Sequence, residues 1–216
     1  MISTSSAPKT GILIVEFALL FVGVPLGFRF RPFPLPPLPV LWVVMLYCLY
    51  RLRIDPTFDR RLLWNFDSLR AHIMPISATF ALLASCIGVL VYEFRPDLLF
   101  NFVHRSPGLW AAVMVLYPVL SVYPQGIIFR SYFVHRFRPL FPGENSMILA
   151  SAAAFAFMHI VFRNPVAVVY TFAGGVLFAR RYYRSGSLLV SSLEHALYGC
   201  WMFTVGLGPY FYQGAR

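Results

Sequence analysis

The sequence is short of charge and nearly without lysine. Charged residues make up 12% of its 216 positions, about half the share found in soluble domains. Lys9 is the single lysine, so the other basic residues are arginines, and acids number only 8. Hydrophobic residues reach 59% and the mean hydropathy is +0.69. One compact core cannot hide that much apolar surface at this length, which excludes a soluble enzyme, and such a composition also excludes a disordered chain. Cysteine is scarce too. Cys48, Cys86 and Cys200 lie far apart in apolar runs with no CxxC spacing, which excludes a cysteine metal cluster or a disulfide framework. No internal repeat and no polar stretch long enough for a second, soluble domain is present, so residues 1–216 read as one membrane-embedded domain.

The net charge is +10. The arginines fall between apolar runs, so they read as loop charges facing anionic headgroups, and nucleic acid is not expected as a partner. Seven apolar stretches stand out, at roughly 11–28, 38–50, 72–92, 108–123, 146–162, 165–179 and 187–207. The second and sixth are short for a full span. The amphipathic segment 125–137 either continues the fourth stretch or forms an element of its own, which makes the expected fold an all-α, polytopic bundle of seven or eight membrane helices. The run from Gly11 to Phe28 has no small-residue cleavage site after it and is expected to remain as a first helix. The proline-rich stretch 31–39 predicts an extended connector. With seven spans, the side holding Lys9, the five arginines of 51–70, Arg136, Arg138, Arg180, Arg181 and Arg184 has 11 basic residues against 6 on the other. The positive-inside rule then puts the N-terminus in the cytoplasm.

An ionisable side chain inside a span costs several kcal/mol and is a candidate functional group. Glu16, Arg130, His159, Glu194 and His195 qualify. Glu16 reads as an interfacial residue or the partner of an arginine on another helix. His159 and His195 sit on different helices and invite three readings: acid–base chemistry in a shared cavity, metal binding, or ligation of a haem. Arg130 either snorkels to the headgroups or has an anionic or carbonyl partner. Neighbours on a helix point about 100° apart, so Glu194 does not share the face of His195 and is expected to meet Arg180, Arg184 or Arg130.

The order of these residues resembles the CPBP (CAAX-protease and bacteriocin-processing, or Abi) family of intramembrane proteases. Ser121-Val-Tyr-Pro-Gln-Gly-Ile-Ile-Phe-Arg-Ser-Tyr-Phe133 is similar to that family's first motif, Glu-Glu-x-x-x-Arg. Phe129 and Arg130 match it, and Gln125 and Gly126 stand where the two glutamates would be. Phe155 and His159 match the second motif, Phe-x-x-x-His. His195 matches the last, His-x-x-x-Asn, with Gly199 in the fourth position. The likeness covers a core of about 108–207, and the tail 206–212 resembles a bacterial branch of the family.

The resemblance implies an all-helical membrane endopeptidase, with a site within the bilayer and a membrane-bound or lipid-anchored peptide or protein as substrate. It also implies a bacterial inner-membrane location. In the family a glutamate activates water, and histidines of two other helices assist. Here an amide cannot take a proton near neutrality and glycine has no side chain, while Gly199 lacks the amide an asparagine would offer an oxyanion. The candidate catalytic positions are therefore His159, His195, Gln125 and Gly126, supported by Arg130, Phe155, Gly199 and Glu194. His159 or Glu194 is left to act as base. Two histidines make a poor zinc site, so no cofactor is expected, although the resemblance leaves room for a metal. Two alternatives stand beside the endopeptidase: a non-catalytic family member that binds a membrane peptide or partner protein, and a membrane protein holding haem or quinone between its histidines.

Overall fold

The computed structural model describes residues 10–30 and 36–211. Seven long helices account for most of them. They are α1 (Thr10–Phe30), α2 (Pro37–Ile54), α3 (Leu69–Phe94), α4 (Pro107–Arg136) and α5 (Glu144–Phe162), followed by α6 (Pro165–Ser185) and α7 (Leu188–Thr204). The first five are long and apolar enough to cross a membrane, and the chain is an integral membrane protein. Segment 125–137 is no separate element. It continues α4, which runs for 30 residues, or about 45 Å at 1.5 Å per residue.

The proline stretch differs in part from its sequence reading. Residues 31–35 lie outside the described residues. Pro36 is extended, but Pro37 and Pro39 fall in the first turn of α2, where proline is tolerated because that turn's N–H groups have no helical partner. Two other prolines sit inside α4 and free a carbonyl each. Pro124 cannot bond the oxygen of Leu120, which instead accepts from the indole of Trp42 on α2 at 2.9 Å. Pro118 leaves the oxygen of Met114, which faces the thiol of Cys200 on α7 at 3.9 Å. The helix widens into π turns at Pro118–Val122 and Ile127–Tyr132, a distortion common at functional sites.

Aromatic side chains pack α1 on α4. Phe21 meets Phe129, Phe133 and Phe137 with ring centroids 5.0–5.6 Å apart. Glu16 is held at the same interface. Arg136 donates to it at 2.9 and 2.6 Å, Tyr47 at 3.0 Å and Arg51 at 3.5 Å, and Tyr132 donates a further hydrogen bond. The partner expected for this acid is thus an arginine of another helix. Helices α5 and α6 cross closely because Gly175 has no side chain. A Cβ there would stand 3.0 Å from the Cα of Ala152 and 3.2 Å from the ring of Phe155. Gly186, at φ +57°, ends α6 in the left-handed conformation, and the hydroxyl of Ser187 caps α7 by accepting from the amide of Val190. That turn sets α6 and α7 side by side.

Candidate active site

Four helices bring the candidate residues together. Helix α4 supplies Tyr117, Gly126 and Arg130, α5 supplies Phe155 and His159, α6 supplies Phe178, and α7 supplies Ser192, His195 and Gly199. The ring of Phe155 lies at the centre. His159 packs 4.7 Å from it and His195 5.4 Å from it, so the two imidazoles are no further apart than those distances laid end to end. His195 also stacks on Phe178 at 4.5 Å, and Ser191 fixes that stretch of α6 by donating to the Phe178 carbonyl at 2.7 Å.

His159 has a defined tautomer. Its Nδ1 lies 2.7 Å from the carbonyl oxygen of Phe155, one turn back on α5. A carbonyl only accepts, so Nδ1 carries the proton, and Nε2 of the neutral ring keeps its lone pair. That nitrogen is a base in waiting. His195 differs, because its Nδ1 is buried with no hydrogen-bond partner among the described residues.

Arg130 is 1% exposed. Its guanidinium lies over Phe155 at 4.5 Å and over Phe178 at 5.4 Å, and all three of its nitrogens lack a hydrogen-bond partner among the described residues. Glu194 does not supply one, and neither does it meet Arg180 or Arg184. It is fully buried and bound by both Nε and Nη2 of Arg181, each at 2.9 Å. The pair crosses the α6–α7 turn and staples that hairpin. Glu194 is therefore occupied, on a face of α7 away from His195, and has no free oxygen to act as base.

The other two motif departures have physical replacements. Gln125 spends its amide on the hydroxyl of Ser121 one turn back, at 2.7 Å. The space beside Gly126 is filled, since a Cβ there would meet Leu188 Cδ1 at 2.8 Å and Ser192 Oγ at 2.9 Å. The space beside Gly199 is filled more tightly by Tyr117, whose hydroxyl and ring edge would stand 2.3–2.4 Å from a Cβ. Where the motif would place an asparagine amide, this chain has a tyrosine hydroxyl from α4. Tyr117, Phe178 and Ser192 escaped the sequence reading because each reaches the site across a helix interface. The nearest signal was a glycine on α7 with an aromatic residue on a neighbouring helix.

The residues present do not fit a catalytic metal. The site offers two imidazoles, and no group of three or more His, Cys, Asp or Glu side chains suited to a metal occurs among the described residues, whereas catalytic zinc usually takes three protein ligands.

Half-buried His159 of α5 and buried His195 of α7 lie beside buried Arg130 between long apolar helices. Residues 106–201 match the family model described as type II CAAX prenyl endopeptidase Rce1-like, so this part of the chain is similar to the CAAX-protease family. No curated protein and no solved structure matches the chain.

Proposed function

We propose that the protein is an intramembrane endopeptidase acting on a membrane-bound or lipid-anchored peptide, with an imidazole in place of the family's carboxylate base. One observation carries this reading: the Nδ1–H bond to the Phe155 carbonyl, which leaves Nε2 of His159 unprotonated and aromatic-walled. Water bound at Nε2 gives up a proton as its oxygen attacks the peptide carbonyl carbon. The carbonyl π electrons move to oxygen, and the hydroxyl of Tyr117 donates to that oxyanion, as donors fixed in a dry site do. The imidazolium then protonates the leaving nitrogen as the C–N bond breaks, which restores the neutral ring. By the arginine count, the loops after α2, α4 and α6 face the cytoplasm.

The test is cleavage of a quenched, membrane-inserted peptide by protein in liposomes. Wild type is expected to turn over slowly, His159→Ala to abolish turnover, and Tyr117→Phe to lower kcat by roughly a hundredfold with little change in KM. A second reading, a non-catalytic peptide-binding member of the family, is favoured by one observation. Leu188 and Ser192 have closed the space beside Gly126, so no carboxylate-bearing position has been kept open. Peptide binding without any turnover selects that reading.

A further inference from the structure

Arg130 is a cation without a counter-ion among the described residues. Of the 8 acidic side chains, Glu16, Asp55, Asp97 and Glu194 are bonded to other basic groups. Asp59 caps a turn by accepting from the amide of Arg61, and Asp67, Glu93 and Glu144 are exposed. The aromatic faces of Phe155 and Phe178 offset only part of the cost of burying the charge, and its N–H groups remain unmade bonds besides.

Two further polar atoms without a partner among the described residues border the same place: the Ser192 hydroxyl, and His195 Nδ1, which donates in the tautomer that carries its proton there. His195, whose Nδ1 has no partner, shares both ring neighbours of Arg130, Phe155 and Phe178. The hydroxyl of Ser192, also without a partner, lies one turn before His195. It sits against Gly126, one turn before Arg130. A fork of guanidinium nitrogens, a hydroxyl and an imidazole nitrogen thus border one stretch between α4 and α7, all buried and all unsatisfied among the described residues.

We propose that this donor set binds a carboxylate brought by a ligand. The guanidinium fork matches a carboxylate in two parallel hydrogen bonds. A single negative charge neutralises a single positive one, whereas a phosphate dianion would leave one charge bare in low dielectric. The carboxylate has two sources: the free C-terminus of a bound peptide, or a small free carboxylate. Neither requires turnover, so the proposal stands apart from the hydrolytic reading.

Thermal unfolding in detergent tests it, with four probes at constant ionic strength: sodium formate, sodium chloride, and two short apolar peptides identical except for a C-terminal carboxylate or amide. The carboxylate peptide is expected to raise the Tm by roughly 5–10 °C at a hundredfold excess over its Kd, the amide far less, and Arg130→Gln to abolish the difference. Stabilisation by formate, with the two peptides equal, assigns the same chemistry to a free anion, provided Arg130→Gln removes it. Chloride matching both formate and the carboxylate peptide, or a carboxylate preference that survives Arg130→Gln, overturns the proposal. Ser192→Ala carries the test if Arg130→Gln does not fold. It should reduce the carboxylate preference several-fold, and an unchanged preference is again an overturning result. A protein that never cleaves but prefers the carboxylate separates failure of the hydrolytic reading from failure of this one.

Discussion

Arg136 and Arg130 are arginines of one helix, six residues apart, and they live under opposite rules. Arg136 sits near the end of α4, and its guanidinium grips Glu16 at 2.6 and 2.9 Å beside Tyr132, Tyr47 and Arg51. Arg130 lies deeper and has two phenyl faces for company. The first is an assembly device, because it joins α1, α2 and α4 through a cluster centred on Glu16. The second has no hydrogen-bond partner among the described residues, and under the proposal above its charge serves a ligand. Burial alone does not tell a structural ion from a functional one; the presence of a partner does.

The largest expected effect breaks the paired side. Glu16→Gln strands Arg136 and Arg51 at a half-buried interface, at a cost approaching the roughly 3 kcal/mol of breaking a fully buried pair. Thermal unfolding in detergent should show a large fall in Tm. The matching change on the other side, Arg130→Met, should leave the Tm unchanged or raise it, because an apolar side chain replaces an unpaired charge. A fall as large as that of Glu16→Gln would mean that Arg130 has a stabilising partner after all.

Gly126→Glu sharpens the comparison by offering Arg130 a partner one turn away. The added Cβ collides with Leu188 and Ser192, so the single variant is expected to lose about 1–3 kcal/mol to overpacking. Gly126→Glu with Leu188→Ala gives the carboxylate room, and the double variant should be more stable than the two single losses summed. Peptidase turnover in that double variant, above wild type, is the corresponding functional readout.

The smallest effect lies at the aqueous edge. Asp55, just past α2, accepts from Nε2 of His135 at 2.9 Å and from the amide and hydroxyl of Thr57. Partial burial pushes its carboxyl up, but the bonds from Thr57 and His135 prevail and hold it down at about 2. A depressed folded value contributes stability above the unfolded carboxylate range near 3.8, and that stability disappears as the pH falls towards 2. The site is about a third exposed, so Asp55→Asn should cost only about 0.5 kcal/mol at neutral pH. Its unfolding curve should merge with that of wild type near pH 2.

The contrast also marks what the sequence can say. The helices were legible, because apolar runs of membrane length announce themselves and the arginines between them mark the loops. Phe155, His159, Arg130 and His195 were legible as a set through their motif spacing, and they meet around one ring. Glu194 was misplaced. The sequence named Arg180, Arg184 or Arg130 as partners, while the turn at Gly186 folds α7 back so that Arg181 faces it. Tyr117 was invisible for the same kind of reason. Its fit against Gly199 is a complementarity between α4 and α7, and no spacing along the chain encodes the distance between two helices.

The most direct test of the site's chemistry is mass-spectrometric mapping of a membrane-inserted peptide incubated with the protein in liposomes. The account predicts a slow, single cut that disappears in His159→Ala and persists in Asp55→Asn. An intact peptide with wild-type protein, or a cut that survives His159→Ala, would contradict it.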